Sequence, residues 1–347
     1  MEKWIFSIAK NHVFSRTILQ KFFAEFLQLY TREGEDMRRL DPQLEGWLKK
    51  SNALVATLVA GGYKPTPISA REALAGLTWT CVKNIPAVAW VQDDYVDTPG
   101  YRVPVRIYHP EPEKALPVLA YFHGGGHMAG SVSVYDPICR KLALATHHIV
   151  VAPEYRLAPE CPYPAGVTDA WGVVKHLWRT LDDRKLRYQR LLSIGGDSGG
   201  GAMTATVTGR AQFDASLDIR RQVMIYPSLD YTLSFPSIEE NGTGYLLEKE
   251  RVAWYFDAYF QHGEDRKAAS PLFWEFTPRL PETMIVTAEF CPLRDEGVAY
   301  VEKARAAGVQ VRHLHMPDMI HAFINMEDLV PEACSTMYRA IGEFLNA

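Results

Sequence analysis

The fold of this chain is decided by the stretch Leu191–Gly200, which reads LLSIGGDSGG. Its first half is a short apolar run typical of a buried β-strand, and a helix-like segment follows it. Between the two lies the pattern Gly-x-Ser-x-Gly, centred on Ser198. Glycines permit a turn too sharp for residues that carry a Cβ atom. The pattern therefore predicts a strand–turn–helix unit that exposes the Ser198 hydroxyl, and a Walker loop is excluded because no lysine follows the glycines.

Outward from this stretch, apolar runs alternate with helix-like segments from about residue 90 onward. A turn at Pro99-Gly100 predicts a β-hairpin, and further strands are predicted at 117–122, 148–153, 191–195, 222–226, 284–288 and 309–315. Helices are predicted near 136–146, 167–180, after 198, at 293–307 and at 333–346. Such alternation is characteristic of a parallel sheet covered on both faces. The predicted fold class is α/β, with a mostly parallel central sheet flanked by helices.

A second glycine-rich segment, His123-Gly124-Gly125-Gly126, follows the strand predicted at 117–122 and begins 75 residues before Ser198. Backbone without side chains lets amide N–H groups approach a negatively charged oxygen closely. We expect the N–H groups of Gly124, Gly125 and Gly199 to form an oxyanion hole. One such donor is typically worth about 3–4 kcal/mol of transition-state stabilisation.

His321 follows the last predicted strand and lies 123 residues after Ser198. Serine first and histidine last is the chain order of hydrolases whose serine sits on such a turn. His127, which follows the triple glycine, is expected to line the substrate pocket. None of the 11 histidines is matched to acidic residues at metal-binding spacing, so no metal site is predicted.

The composition excludes several other classes of protein. The 347 residues carry 37 Lys+Arg and 41 Asp+Glu, a net charge of −4, whereas nucleic-acid binding needs a basic field. Five cysteines without a C-x-x-C pair argue against a zinc ribbon or a disulfide framework and favour a reducing compartment. No apolar run is long enough for a transmembrane helix. We expect a cytoplasmic protein without nucleic-acid partners or stable membrane insertion, whose residues 12–30 form an amphipathic helix.

Five motifs in the same order and spacing resemble the hormone-sensitive lipase-like family of α/β-hydrolase carboxylesterases. They are His123–Gly126, Tyr155–Glu160, Gly196–Gly200, Pro292–Glu296 and Ile320-His321, and they span roughly residues 90–345. The resemblance implies a catalytic domain at 86–347 and a helical cap formed by residues 1–85 together with 231–275. It also implies that Ser198 is the nucleophile, that His321 is the general base and then the general acid, and that no cofactor is needed.

The activity implied by the resemblance is hydrolysis of short-chain carboxylic esters through an acyl-enzyme. The expected partner is a small-molecule ester, and a homodimer through the edge strand at 309–315 is compatible with the family. Amide or peptide hydrolysis on the same fold is left open. The rival from another class is a hydrolase-like binding protein that keeps the pocket and has lost turnover.

One position departs from the family pattern. The family's acid is the first residue of an Asp-Pro-Leu-x-Asp motif, 30 residues before the catalytic histidine, and here that residue is Cys291. In serine proteases, loss of the carboxylate lowers kcat by about 10⁴. Asp295, about one helical turn further on, is the favoured substitute. Glu289, which shares a strand face with residue 291, is the second choice, followed by Asp230; an Asp-to-Cys substitution introduced at position 291 is the remaining alternative.

Overall fold

The computed structural model describes residues 38–347, and an eight-stranded sheet runs through this part of the chain. Its strands, in chain order, are β1 (Trp90–Thr98), β2 (Tyr101–His109), β3 (Leu116–Phe122), β4 (Ile149–Pro153), β5 (Tyr188–Asp197), β6 (Ile219–Ile225), β7 (Glu282–Phe290) and β8 (Val311–Ile320). They are arranged as β1-β2-β4-β3-β5-β6-β7-β8.

Only the first hairpin breaks the parallel arrangement of this sheet. Strand β2 runs antiparallel to both β1 and β4, and all the remaining neighbours are parallel. The predicted α/β class and the predicted hairpin are therefore confirmed. Because the carboxyl ends of parallel strands meet at one edge, β3 and β5 finish together, with Phe122 paired to Gly196.

Ten α-helices accompany the sheet in the described residues. They are α1 (Pro42–Ala60), α2 (Pro67–Cys81), α3 (Val132–Thr146), α4 (Ala165–Asp183), α5 (Gly199–Ala211), α6 (Ser237–Glu240), α7 (Lys249–Tyr259), α8 (Arg266–Ala269), α9 (Arg294–Ala306) and α10 (Pro331–Leu345). Short 3₁₀ turns occur at Pro271–Phe273 and Phe323–Met326. Helix α1 begins where the Asp41 carboxylate accepts the N–H groups of Gln43 and Leu44.

Both faces of the sheet are covered, as its alternating side chains require. Along β3, Leu119 and Tyr121 join a cluster that contains residues of α3 and α10, such as Leu142 and Ile341. The intervening Val118, Ala120 and Phe122 join a second cluster with residues of α4 and α5, such as Val173, Leu177 and Met203. A strand apolar on both sides is thereby buried on both sides.

The excursion after β6 contains helices α6, α7 and α8 and no strand up to β7, as the composition of residues 231–275 led us to expect. Residues Leu40–Ala347 form one compact unit that includes α1 and α2. The amphipathic helix predicted at residues 12–30 lies outside the described residues.

Candidate active site

Ser198 occupies the sharp turn between β5 and α5. Its φ of 52° and ψ of −118° are strained for a residue with a side chain. The turn is possible because a Cβ atom on Gly196 would collide with the backbone of Gly200, and one on Gly200 would collide with the carbonyl of Phe122. The packing of β3 against β5 thus demands both glycines, and the serine hydroxyl is held at the carboxyl end of the sheet.

His321 reaches this hydroxyl from the residue directly after β8. Its Nε2 atom lies 2.9 Å from Ser198 Oγ, and the ring of Tyr226 packs against the imidazole at 4.6 Å between centroids. Burial lowers the pKa of His321 to about 3, since a charged imidazolium would lose its solvation. The imidazole is therefore neutral near pH 7 and able to accept a proton from the serine.

The sulfur of Cys291 lies against the other nitrogen of this histidine. Cys291 Sγ is 3.1 Å from His321 Nδ1, and the Leu293 N–H donates to the same sulfur at 3.3 Å. The thiol is fully buried, and burial raises its pKa, so it stays protonated at neutral pH. With the imidazole proton on Nδ1, the sulfur accepts it and the Nε2 lone pair points at Ser198.

The two carboxylates favoured from the sequence are engaged with other partners. Asp295 accepts the Ser237 N–H at 2.9 Å and the Arg294 Nε–H at 2.8 Å. Glu289 binds Arg294 Nη1 at 2.7 Å and lies 3.1 Å from His315 Nε2. The atom that the structure brings to His321 Nδ1 is the sulfur of Cys291 instead.

Asp230, the third candidate, hydrogen-bonds to residues of its own loop. Its two carboxylate oxygens accept hydrogen bonds from the backbone and hydroxyl of Thr232 and from the backbone and hydroxyl of Ser234. A carboxylate with four short-range donors is a loop-stabilising group. None of these four bonds involves His321.

In the segment His123–His127, which we call the oxyanion loop, Gly124 makes a contact that the sequence did not predict. The Gly124 N–H donates to Asp197 Oδ1 at 2.8 Å, so this amide is not available to an oxyanion in the described geometry. Asp197 also accepts the hydroxyl groups of Tyr121 and Tyr135 at 3.0 and 2.9 Å. Burial raises the Asp197 pKa to about 7, against the opposing effect of these hydrogen bonds. Asp197 therefore anchors the loop at Gly124.

The backbone nitrogens of Gly126 and His127 lie close to Gly199, the residue after Ser198. A Cβ atom built on Gly199 would lie 3.3 Å from Gly126 N and 3.2 Å from His127 N. The N–H groups of Gly125, Gly126 and Gly199 donate to no group among residues 38–347. Gly126 was not among the residues expected from the sequence, because three adjacent glycines look alike there and only the tertiary contact of Gly124 with Asp197 distinguishes them.

The helix α7 forms a roof on this loop. The ring of Tyr255 packs on Gly126, where a Cβ atom would come within 2.5 Å of its Cδ2. The His127 ring stacks on Tyr259 with centroids 4.0 Å apart, and its Nε2 lies 3.1 Å from the Tyr231 hydroxyl. His127 is buried, and burial lowers its pKa to about 3. A neutral aromatic wall therefore adjoins the expected oxyanion site.

Neither a metal centre nor a spanning helix emerges from the described part of the chain. Within residues 38–347, no group of three or more His, Cys, Asp and Glu side chains could hold a metal ion. The helices of this region are all too short or too polar to cross a membrane.

Comparisons with known proteins agree with this geometry. A profile of the alpha/beta hydrolase fold matches residues 119–325. The carboxylesterase NlhH of Mycobacterium tuberculosis is 34% identical over 252 residues, covering 71% of this chain and 78% of that protein. The ethyl acetate hydrolase of Pseudomonas putida is 34% identical over 240 residues, covering 67% and 75%. A hyperthermophilic esterase from Pyrobaculum calidifontis superposes with a TM-score of 0.77 at 29% identity, covering 88% and 98%.

Proposed function

Since this chain belongs to the hormone-sensitive lipase-like branch of the alpha/beta hydrolase-fold family and is a serine carboxylesterase, we propose that Ser198 is its nucleophile and His321 its general base. The 2.9 Å contact between Ser198 Oγ and His321 Nε2 carries this proposal. As the hydroxyl attacks the ester carbonyl, its proton passes to Nε2. The protonated imidazole then donates that proton to the leaving alcohol, which leaves an acyl-enzyme that an activated water hydrolyses.

The charge that develops on the carbonyl oxygen would be stabilised by the N–H groups of Gly125, Gly126 and Gly199. Support comes from their lack of other acceptors among the described residues and from the approach of Gly126 N to Gly199. Gly199 is also the first residue of α5, whose N-terminus carries partial positive charge. Each such donor contributes about 3–4 kcal/mol when it is fixed before the reaction.

The place of the triad acid would be taken by the neutral thiol of Cys291. Its position at Nδ1 supports a role in orienting the imidazole, with the tautomer that leaves Nε2 free to accept a proton. A thiol cannot stabilise imidazolium as a carboxylate does. The enzyme would therefore work as a Ser198–His321 dyad, slower than a relative with a complete triad.

Short acyl chains would be preferred because the site is narrow and roofed. Ser198 is only 8% exposed, and Tyr255 and Tyr259 of α7 press on the oxyanion loop. Of the cap predicted at residues 1–85 and 231–275, the described part, residues 38–85 and 231–275, would cover the 86–347 catalytic domain, and residues 1–37 lie outside the described residues. A cytoplasmic location is supported by the absence of a disulfide among the five cysteines, all of which lie within the described residues. A homodimer would use β8, which is an edge strand of the described sheet.

The test is hydrolysis of p-nitrophenyl esters from acetate to decanoate. We expect Ser198→Ala to abolish turnover, while Ser193→Ala, a matched change of a buried serine on the preceding strand β5, leaves it intact. Asp295→Asn and Glu289→Gln should retain most activity, since their carboxylates bind other groups. Wild-type activity no higher than that of Ser198→Ala would overturn the proposal. A hundredfold loss in Asp295→Asn at unchanged Tm would return the acid role to Asp295.

A further inference from the structure

The C-terminal half of α1 is an exposed and uncharged helix end. Every residue from Ala53 to Thr66 is exposed, including Leu54 at 61%, Leu58 at 44% and Val59 at 58%. We call residues Ala53–Tyr63 the apolar tip. Leu54, Val55, Leu58 and Val59 form one broad side of it, and the opposite side carries only alanines and Thr57. A helix without charge on any side is normally surrounded by apolar material.

The charged residues that flank the apolar tip along the chain are all basic. No Asp or Glu occurs from Gly46 to Arg71, although the whole chain has a net charge of −4. Lys49 and Lys50 precede the tip and Lys64 follows it, and none of the three forms an ion pair with a described residue. Basic side chains around an apolar segment match the anionic headgroups and the acyl region of a phospholipid surface.

The base of α1 and the neighbouring helix α2 contact segments that border the candidate active site. Towards its base, Leu44 and Leu48 are buried in the core, and Asn52 Nδ2 donates to the Gly244 carbonyl between α6 and α7. From the neighbouring helix α2, Arg71 Nε donates to the Met128 carbonyl, next to the oxyanion loop. Through these contacts α1 and α2 are part of the same compact unit as the candidate active site.

We propose that the apolar tip docks reversibly on an anionic phospholipid surface and holds the roofed side of the enzyme against it. Lipid fits the tip better than a protein partner because a protein face covers one side of a helix, whereas here both sides are exposed and uncharged. Apolar insertion and the flanking lysines would act together, so binding weakens with salt. The docking requires no catalytic residue and stands independently of the proposed mechanism.

The experiment is sedimentation of the full chain with vesicles of phosphatidylcholine alone or with one quarter phosphatidylglycerol. We expect stronger binding to the anionic vesicles and a loss of at least about tenfold in Leu54→Glu/Leu58→Glu, since charge replaces two exposed apolar groups. Lys49→Gln/Lys50→Gln should weaken binding to the anionic vesicles only. Phe213→Glu is the matched control, because it removes an apolar side chain that is 60% exposed elsewhere.

Three results would overturn the proposal. The first is that the wild type does not sediment with anionic vesicles, and the second is that Leu54→Glu/Leu58→Glu sediments as well as the wild type. The third is that light scattering shows a lipid-free dimer of the wild type and a monomer of this variant. The last result would assign the apolar tip to a protein contact. Hydrolysis of p-nitrophenyl acetate, measured in parallel, should be unchanged in the tip variants, so failure of docking and failure of the esterase mechanism are read separately.

Discussion

Cys291→Asp should make this enzyme faster. The new carboxylate would lie where the sulfur now sits, 3.1 Å from His321 Nδ1, with the Leu293 N–H as a second donor. At about 3.5 Å and an effective dielectric constant of about 20, its attraction for the imidazolium is about 5 kcal/mol. Desolvation of the buried carboxylate offsets part of this. We therefore expect kcat to rise by about 10²–10³, less than the 10⁴ lost in serine proteases, because the thiol already orients the ring.

The pH profile of the same variant gives an independent reading. Burial holds the pKa of His321 at about 3, so wild-type activity should persist in acid until the imidazole is protonated near that pH. A carboxylate stabilises the imidazolium and raises this pKa, and the base is lost below it. The acidic limb of kcat/KM should therefore move up by about two pH units in Cys291→Asp.

Cys291→Asn is the matched control, because asparagine has the shape of aspartate without its charge. It should give neither the gain in kcat nor the shift of the acidic limb. The reasoning is refuted if Cys291→Asp is folded, as judged by Tm, and yet shows wild-type kcat with an unmoved limb. Equal gains in both variants would mean that shape rather than charge limits the wild-type enzyme.

Three further outcomes are expected. Asp197→Ala removes the carboxylate oxygen that accepts the Gly124 N–H and should lower kcat about a hundredfold with little change in KM; an unchanged kcat would contradict the anchoring role. Gly126→Ala places a Cβ within 2.5 Å of the Tyr255 ring at a residue whose φ is 62°, and it should lower the free energy of unfolding by about 1–3 kcal/mol. Adding Tyr255→Ala should restore part of this loss. If it restores none, backbone strain rather than the ring contact dominates. Burial raises the Glu296 pKa well above the 4.5 of the unfolded chain, so this carboxyl contributes stability below pH 4.5 that is lost as pH rises. The stability advantage of Glu296→Gln should accordingly grow by up to about 1.4 kcal/mol per pH unit above 4.5, and a pH-independent difference would contradict this.

Local patterns were sufficient for the sheet and for the strand–turn–helix unit that presents Ser198. The apolar runs and the Gly-x-Ser-x-Gly turn depend on neighbours in sequence, so each predicted strand from residue 90 onward is present. Their ends were less certain: β5 begins at Tyr188 rather than Leu191, because pairing of Tyr188 with Leu116 extends it through polar residues. Strand pairing across the sheet overrides local polarity there.

The partners of the charged groups could not be read from the sequence. Asp295 accepts a hydrogen bond from the backbone of Ser237 at the start of α6, 58 residues away. Gly124 donates its N–H to Asp197, 73 residues away. Both contacts are made only once the chain has folded, and both redirect a group that looked available. The departure at Cys291, by contrast, was visible from the family's acid motif and its spacing to His321.

The contact between α7 and the oxyanion loop limits how this enzyme can be altered. Tyr255 and Tyr259 rest on Gly126 and His127, so a substitution that widens the acyl pocket also moves the amides expected to bind the transition state. Selectivity and turnover are then one coupled trait. Variants selected for bulkier esters should hydrolyse acetate esters more slowly than the wild type, by more than the loss of acyl contacts alone explains. Recovery of the rate on acetate esters should require further substitutions in the oxyanion loop.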